Sequence, residues 1–290
     1  MKITLNNSII KASIDTLGAE LIHLELIASG MDYMWSGDAT DWGGRSPVLF
    51  PIIGSLNEGT YQLNDQSYRM GNHGFARKSE FTCIDQSDHS ATFRLKESAT
   101  TLGQYPYHFT LDLVYTLIGT SISINYHVTN DSDQLMPFQL GTHPAFNCPI
   151  GNTTNLQQWF LEFDQSETLS RIGLVDNLLD LEDLELVMDN TRTLPLKPED
   201  FNVCAMVFKE VASNHITLKS EATTESVTLS FNNFPDLGIW QPKGAPFLCI
   251  EPWYGHGDPI GFKGDIMDKI SMVHLDSKKT FSAELRIRIT

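Results

Sequence analysis

The chain has 290 residues, of which 41% are apolar and 19% charged, and this composition excludes an extended disordered protein. Its formal net charge of −16 opposes binding to nucleic acid or to anionic lipid, because both require clustered Lys and Arg. There is no apolar signal segment near Met1 and no apolar run long enough to span a membrane. We therefore expect a cytoplasmic protein without nucleic-acid or membrane partners.

Strands dominate the predicted elements, because apolar and polar residues alternate with period two along much of the chain. The alternation is clearest in 109–118 and 121–129, and the Gly119-Thr120 pair between them predicts a hairpin. The last strand, 281–289, alternates in the same way. In chain order the predicted strands are 9–15, 20–27, 80–85, 91–97, 109–118, 121–129, 158–163, 203–209, 226–231, 247–251 and 281–289.

The fold class follows from what separates these strands. Only the acidic segment 176–189 has helical or loop-like character, and no amphipathic helices alternate with the strands as βαβ units require. No repeat, low-complexity tract or linker divides the chain. We predict an all-β fold, a large antiparallel β-sandwich, formed by a single domain over residues 1–290. The broad face of such a sandwich suits an extended polar ligand such as a sugar.

The cysteine spacing bears on metals and redox state. There are four widely separated cysteines, with no CxxC pair and no closely spaced Cys/His set: Cys83, Cys148, Cys204 and Cys249. This spacing favours free thiols over a structural zinc site or a disulfide framework. The sequence therefore predicts neither a metal nor a cofactor.

Four segments interrupt the alternation with Gly, Pro, His and aromatic residues. The first, 41–51, places Arg45 between Gly-rich and Pro-bounded stretches, and a planar guanidinium suits paired sugar hydroxyls or a carboxylate. The second, 71–77, flanks His73 with glycines, which let the backbone approach a ligand closely. A surface Arg and a structural His are the alternatives for these two segments.

The other two segments follow predicted strands. In 141–147, His143 comes at a strand end, where active-site side chains of β-proteins often lie. In 247–255, apolar residues lead into Glu251, which is costly to bury unless it is paired or used. Aromatic residues such as Trp253 follow it, and their faces suit the C–H surfaces of a sugar. The remaining histidines lack such surroundings, and we assign them structural or surface roles: His23, His89, His108, His127, His215, His256 and His274.

Three of these segments together resemble a known family. The fragments Asn72-His73-Gly74-Phe75-Ala76-Arg77, Thr142-His143-Pro144-Ala145-Phe146-Asn147 and Glu251-Pro252-Trp253, in this order, are similar to the aldose 1-epimerase (galactose mutarotase) superfamily. Within it the chain resembles the LacX-like branch of bacterial proteins over essentially its whole length. The resemblance implies a galactose mutarotase-like supersandwich and a cofactor-independent isomerase that interconverts the α and β anomers of a sugar.

The resemblance also implies roles for individual side chains. Glu251 matches the family's general base, His143 its general acid, and His73 the side chain that orients the sugar and polarises its ring oxygen. The small-molecule sugar is expected to be bound by four further side chains: Arg45, Asn72, Arg77 and Trp253.

One departure concerns the sugar. Many relatives have an Asp that binds sugar hydroxyls in a segment resembling 202–208, where this chain has Cys204, and a thiol is a poor hydroxyl acceptor. The sequence leaves open a free hexose, a hexose phosphate or a disaccharide, and also a monomer or a homodimer.

Three other functions are weighed against the epimerase. A catalytically inactive carbohydrate-binding or sensory protein on the same fold is the main alternative. A metal-dependent cupin-type isomerase is disfavoured, because cupins place their ligands close together and His73 and His143 are seventy residues apart. A glycosidase is disfavoured because it usually needs two catalytic carboxylates, and only Glu251 has site-like surroundings.

Overall fold

The computed structural model describes residues 1–151, 155–201 and 205–290, and antiparallel strands make up most of these ranges. The strands of these ranges are β1 (Lys2–Asn6), β2 (Ile10–Asp15), β3 (Glu20–Leu26), β4 (Met31–Asp32), β5 (Val48–Leu49), β6 (Thr60–Leu63), β7 (Gln66–Arg69), β8 (Thr82–Gln86), β9 (Ser90–Lys96), β10 (Phe109–Ile118), β11 (Ser121–Asn130), β12 (Met136–Phe138), β13 (Leu140–Thr142), β14 (Ala145–Asn147), β15 (Trp159–Val175), β16 (Leu178–Pro195), β17 (Met206–Phe208), β18 (His215–Ser220), β19 (Val227–Ser230), β20 (Asp236–Trp240), β21 (Phe247–Tyr254), β22 (Val273–Leu275) and β23 (Thr280–Ile289).

Helical structure is limited to short turns. The one α-helix within the described ranges, α1, is a single turn over Ala99–Leu102, which begins with a capping box between Ser98 and Thr101. The 3₁₀ turns are Asn57–Gly59, Ala76–Lys78, Leu156–Gln158, Pro198–Phe201 and Ile266–Asp268. In the part of the chain that the structure describes, no helix has the length and apolar character that crossing a membrane requires.

One sheet contains fifteen of the strands, and its main path runs β5-β13-β21-β20-β17-β15-β18-β19-β23-β11-β10-β9-β8. Two strands lie off this path, because β14 pairs with β21 and β16 pairs with β15. The other sheets are β1-β2-β3-β4, β12-β22 and β6-β7. Each ladder between these strands is antiparallel, which confirms the all-β antiparallel prediction.

The main hydrophobic core joins the four-stranded sheet to the large sheet. Its members include Leu5 and Ile14 from the first sheet and Leu113 and Ile124 from β10 and β11. The hydroxyl of Tyr115 on β10 donates to the carbonyl of Ala19, with a distance of 2.6 Å between the oxygens. As the alternation predicts, one face of β10 and β11 is buried, and the two strands pair through the Gly119 turn.

The predicted strands are confirmed in the described ranges, with shifts of a few residues at their ends, except that the strand predicted at 158–163 continues as β15 to Val175. The prediction for 203–209 is met by β17, although residues 203 and 204 lie outside the described ranges. The prediction for 176–189 is wrong, because most of this segment belongs to β16, which pairs with β15. Most side chains of β16 are exposed and its register with β15 is irregular, so the segment lacks the apolar alternation of a half-buried strand.

Strand β21 is the part of the fold that positions the candidate site. It lies between β13 and β20, and every residue from Phe247 to Trp253 is buried. Leu248 and Ile250 on one face join the main core. Because successive side chains of a strand point to opposite faces, Glu251 and Trp253 point the other way. The apolar run that precedes Glu251 is therefore the sequence of a strand buried on both faces.

Candidate active site

A cavity of about 440 Å³ lies against this second face of β21, within the size range of about 300–1,000 Å³ that is typical of small-molecule sites. Six of the seven side chains that the sequence singles out line it: Asn72, His73, Arg77, His143, Glu251 and Trp253. They come from the loop between β7 and β8, from the end of β13 and from β21. The fold therefore brings together groups that are far apart in the sequence.

Glu251 and His143 are in direct contact. The imidazole Nε2 of His143 lies 3.2 Å from a carboxylate oxygen of Glu251, and both side chains are less than one tenth exposed. The contact forms because His143 follows β13, which is the neighbour of β21 in the sheet. Burial raises the pKa of Glu251 well above its usual range. Burial, and then the neighbouring His73, lowers the pKa of His143 well below its usual value.

Aromatic rings hold the imidazole of His143 in place. Trp42 stacks on it with 4.8 Å between ring centroids, and Trp240 meets it edge-on at 5.7 Å. His73 also meets it edge-on at 5.7 Å. Packing on three sides leaves the ring little freedom to rotate, which keeps Nε2 directed at the carboxylate of Glu251.

His73 is fixed by its backbone and by its ring. Its φ of 61° lies in the left-handed region, and the next residue, Gly74, packs so closely that a Cβ there would meet the Phe50 carbonyl oxygen at 2.2 Å. The N–H of Gly54 donates to His73 Nδ1 at 3.0 Å, and the N–H of His73 donates to the Gly54 carbonyl at 2.9 Å. Burial, and then the charge of Arg77, lowers the pKa of His73 to about 3. The imidazole is therefore neutral, and its proton is on Nε2.

Two glycines make room for the indole of Trp253. A Cβ at Gly141 would lie 2.7 Å from this ring, and a Cβ at Gly238 would lie 2.6 Å from it. Both glycines are on the strands that flank β21, so the ring lies across its neighbours as part of the cavity floor. The sequence pattern predicts a role for Trp253, but it does not show that Gly141 and Gly238 make room for its ring.

The two predicted substrate-binding arginines differ in position. Arg77 lines the cavity, and its guanidinium donates to the carbonyl of Asn72 at 3.1 Å. Arg45 does not line it, because its Nε donates to the carbonyl of Ser36 at 2.7 Å, and its guanidinium is held there. Sugar binding by Arg45 stays a prediction, and the same Gly-rich segment supplies Trp42 to the cavity.

The comparisons with known proteins agree with this geometry. A sequence model of the family described as aldose 1-epimerase matches residues 1–270. The chain belongs to the aldose 1-epimerase family. The chromosomal protein LacX of Lactococcus lactis subsp. lactis is 35% identical to it over 264 residues, which are 88% of each chain.

Two solved structures support the same assignment. A galactose mutarotase related enzyme from Lactobacillus acidophilus has a TM-score of 0.95 at 31% identity, over 100% of this chain and 97% of that one. A galactose mutarotase-like protein from Lactobacillus casei ATCC 334 has a TM-score of 0.94 at 33% identity, over 100% of both chains. The predicted galactose mutarotase-like fold and the likeness to LacX are confirmed.

The aldose 1-epimerase cavity has two walls of different character. We name the polar side the catalytic wall: Asn72, His73, Arg77, His143 and Glu251. A second part of the lining is the tip of the β15–β16 hairpin, which we name the hairpin wall: Leu174, Asn177 and Leu179. The backbone N–H of Leu179 donates to Asp258 at 2.9 Å, and its carbonyl accepts from Ile260 at 2.9 Å, which attaches this tip to the loop after β21.

Sequence reasoning missed the hairpin wall and also Trp240, Ala205 and Val207, which line the cavity too. Trp42 came from the marked segment 41–51, and Ala205 and Val207 came from the segment 202–208 that was marked for Cys204. Cys204, the predicted departure from the epimerase pattern, lies outside the described residues. His256 is structural as expected, because its Nδ1 donates to the carbonyl of Gly257 and its Nε2 meets the hydroxyl of Ser271, each at 3.0 Å.

Among the described residues, one cluster of His, Cys and acidic side chains has spacing that a metal ion could use. His143, Cys249 and Glu251 each offer a ligand atom, and these atoms lie within 4.8 Å of one another in a buried site. Cys249 does not line the cavity, and it lies behind Glu251 on the same face of β21. The thiol is free, as the cysteine spacing predicts.

Proposed function

We propose that this protein is an aldose 1-epimerase that interconverts the α and β anomers of an aldohexose or related pyranose by acid–base ring opening and closure. The observation that supports this most strongly is the buried contact of 3.2 Å between His143 and Glu251 at a cavity of about 440 Å³. A base and an acid side by side match the reaction, and it needs no cofactor.

Ring opening requires two proton movements at opposite ends of one carbon–oxygen bond. Glu251, as carboxylate, takes the proton of the anomeric hydroxyl, while His143, as imidazolium, gives a proton to the ring oxygen. The C1–O5 bond breaks and an open-chain aldehyde forms. After rotation about the C1–C2 bond, the two transfers reverse and the other anomer closes. Each positioned group typically contributes about 10²–10⁴-fold to such a reaction.

The buried surroundings favour the open-chain stage. Before opening, the pair is Glu251 carboxylate and His143 imidazolium, and after opening it is a protonated carboxyl and a neutral imidazole. Both stages carry the same number of protons in total when the sugar is included. Burial raises the pKa of Glu251 and lowers the pKa of His143, which stabilises the neutral forms that accompany the aldehyde. In the same surroundings the ion pair is less favoured than the neutral pair, so the carboxylate and imidazolium that start the reaction have to form when the sugar is bound.

Other side chains of the cavity orient the sugar. His73 is neutral and accepts from Gly54 through Nδ1, so its Nε2–H is a fixed donor for the ring oxygen. Arg77 supplies a cation for hydroxyl groups, and Trp253 and Trp42 supply aromatic faces for the C–H surfaces. The imidazoles of His73 and His143 and the carboxylate of Glu251 are in place before the sugar binds, so little reorganisation is needed during the reaction.

Replacement of Glu251 by Gln tests the proposal. We expect loss of anomer exchange by about 10³-fold or more, because the amide cannot accept the proton, while sugar still binds. The assay follows the optical rotation of freshly dissolved α-D-glucose and α-D-galactose, and NMR titration follows binding. Glu221→Gln, at an exposed position, is the matched control. Turnover close to that of the wild type in Glu251→Gln contradicts the proposal.

The same assay separates the epimerase from its main alternative. A carbohydrate-binding or sensory protein on this fold binds sugar without accelerating anomer exchange in the wild-type chain. A panel of single anomers of free hexoses, hexose phosphates and disaccharides then identifies the sugar. We expect the protein to act on small sugars in the cytoplasm. We expect the protein to be a monomer or a homodimer.

A further inference from the structure

Strand β21 directs a thiol toward the catalytic pair. Cys249 and Glu251 are two residues apart on this strand, so both side chains lie on the same face. The Cys249 sulfur, an oxygen of Glu251 and a ring nitrogen of His143 lie within 4.8 Å of one another, and all three residues are buried. The acid–base mechanism uses only two of these groups, and it gives no role to the thiol.

We propose that His143, Cys249 and Glu251 form a site for a thiophilic divalent cation such as Zn²⁺, and that the bound cation competes with the sugar and stops the reaction. The inhibitory effect rests on the proposed function, because it needs an active enzyme to inhibit. The binding site itself rests only on the geometry of the three side chains.

The spacing of the ligand atoms suits tetrahedral zinc. Bonds of about 2.0–2.1 Å to nitrogen and oxygen require about 3.3 Å between those two atoms. The observed distance between His143 Nε2 and the Glu251 oxygen is 3.2 Å. A thiolate bond of about 2.3 Å requires the sulfur about 3.6 Å from each of them. The sulfur lies within 4.8 Å of both atoms, so a shift of at most about 1.2 Å brings the three ligand atoms to this spacing.

The charges of the three ligands also suit Zn²⁺ at a buried position. A thiolate and a carboxylate supply two negative charges, the imidazole is neutral, and the complete site has no net charge to desolvate. Binding forms one Zn–S, one Zn–O and one Zn–N bond, and water on the cavity side fills the fourth position. The thiol proton, and any proton held between His143 and Glu251, passes to solvent. No oxidation or reduction occurs.

The surroundings of His143 favour reversible binding over a resident metal. Among the described residues its Nδ1 has no hydrogen-bond partner, whereas imidazoles in resident zinc sites almost always donate from the second nitrogen. The cation would also occupy both the base and the acid, so no proton transfer to the sugar is possible while it is bound. We therefore expect an inhibitor that chelators remove and that excess sugar opposes.

Cobalt absorption tests the site without any assay of activity. Co²⁺ added to the full-length protein should give a thiolate-to-cobalt charge-transfer band, and Zn²⁺ should displace it. Cys249→Ser should abolish the band, with Cys249→Ala as the second variant if the serine protein does not fold. Cys83→Ser is the control, because Cys83 is free but far from His143 in the sheet order. No band in the wild type, or an equal band in Cys249→Ser, overturns the proposal.

Inhibition by Zn²⁺ is the second measurement. Zn²⁺ should raise the apparent KM for the sugar without changing kcat at saturation, and EDTA should restore the original rate. The Zn²⁺ concentration that halves the rate should rise at least about tenfold in Cys249→Ser, because one of three ligands is lost. Equal inhibition of wild type and Cys249→Ser overturns the proposal. A cobalt band in a protein that does not exchange anomers supports the site and contradicts the proposed function.

Discussion

The two walls of the cavity are held by different means. On the catalytic wall, His73 is fixed by two hydrogen bonds with Gly54, and Glu251 lies in a strand with neighbours on both sides. The hairpin wall is the tip of the β15–β16 hairpin, of which β16 is mostly exposed. The side chains proposed to react thus lie on the part of the sheet that is packed from both faces.

Leu179 attaches the hairpin wall through two backbone hydrogen bonds and through a small hydrophobic core shared with Val207 and Trp253. Asn177 at the tip is exposed. Asn177 is therefore the position of this wall where sugar preference can vary with the least loss of packing.

Among the variants that separate the two walls, His143→Gln should have the largest effect on turnover. Gln keeps polar atoms near Glu251 but cannot give a proton to the ring oxygen, so we expect kcat to fall about 10²–10⁴-fold. Polarimetry of anomer exchange at saturating sugar concentration measures this loss of kcat. His215→Gln, at an exposed histidine on β18, is the control and should retain full activity. If kcat in His143→Gln stays within about tenfold of the wild type, His143 is not the general acid.

The loop to which the hairpin wall is bonded contains one partner of a buried ion pair. The ammonium of Lys269 lies 2.8 Å from a carboxylate oxygen of Asp258, and both side chains are almost completely buried. Lys269→Met leaves the carboxylate uncompensated, so we expect the free energy of unfolding to fall by about 3–5 kcal/mol. Urea denaturation measures the change, and Lys263→Met, at an exposed position, is the control.

A double variant sharpens this prediction. Asp258→Asn combined with Lys269→Met removes both charges, so at least half of the lost free energy of unfolding should return. The Asp258→Asn change keeps a side-chain oxygen that accepts the hydrogen bond from the backbone N–H of Asn57, as the carboxylate of Asp258 does. A double variant that is less stable than Lys269→Met alone shows that the ion pair is not what holds the loop after β21.

At the start of β20, paired with Trp253 of β21, Asp236 should reduce stability at neutral pH. Burial raises the pKa of this carboxyl from 3.8 to about 6, and one of its oxygens has no partner among the described residues. The folded pKa is above the unfolded one, so the folded protein loses stability as pH rises between about 4 and 6. Above pH 6 the free energy of unfolding is lower by about 3 kcal/mol, because the two pKa values differ by about two and each pKa unit corresponds to about 1.4 kcal/mol.

Asp236→Asn removes that ionisation. We expect the variant to be more stable than the wild type above pH 6 by up to about 3 kcal/mol, with the difference vanishing below about pH 4. Denaturation curves across this pH range measure it, and Asp133→Asn is the control because the Asp133 side chain is 96% exposed. A stability difference that does not depend on pH contradicts a raised pKa for Asp236.

The contrast between the walls also explains what the sequence could predict. Strands such as β10 and β11 bury one face, so their side chains alternate and the hairpin is visible in the sequence. Strand β16 is exposed along most of its length, so no alternation marks it, and the acidic segment resembled a loop. The polar motifs of the catalytic wall were visible because Gly, Pro and aromatic residues surround them.

Contacts between distant strands could not be predicted from local pattern. His143 meets Glu251 only because β13 and β21 are neighbours, and they are separated by more than a hundred residues of chain. The sequence predicts substrate binding by both Arg45 and Arg77, and local pattern could not show that only the second lines the cavity. The difference arises because the carbonyl of Ser36 holds the guanidinium of Arg45 outside it.

Asn177 at the tip of the hairpin wall should give the smallest effect. Its φ of 63° suits glycine, so Asn177→Gly removes the amide without backbone strain and should leave the free energy of unfolding nearly unchanged. Because Asn177 lines the cavity, loss of one hydrogen bond to the sugar, about 0.5–1.5 kcal/mol, should raise KM about two- to tenfold. The acid and base are untouched, so kcat should not change.

Asp176→Gly is the matched control, because Asp176 is in the same turn with a φ of 52° but does not line the cavity. Equal effects of the two variants on KM indicate that turn flexibility, and not a contact with the sugar, is what the hairpin wall contributes.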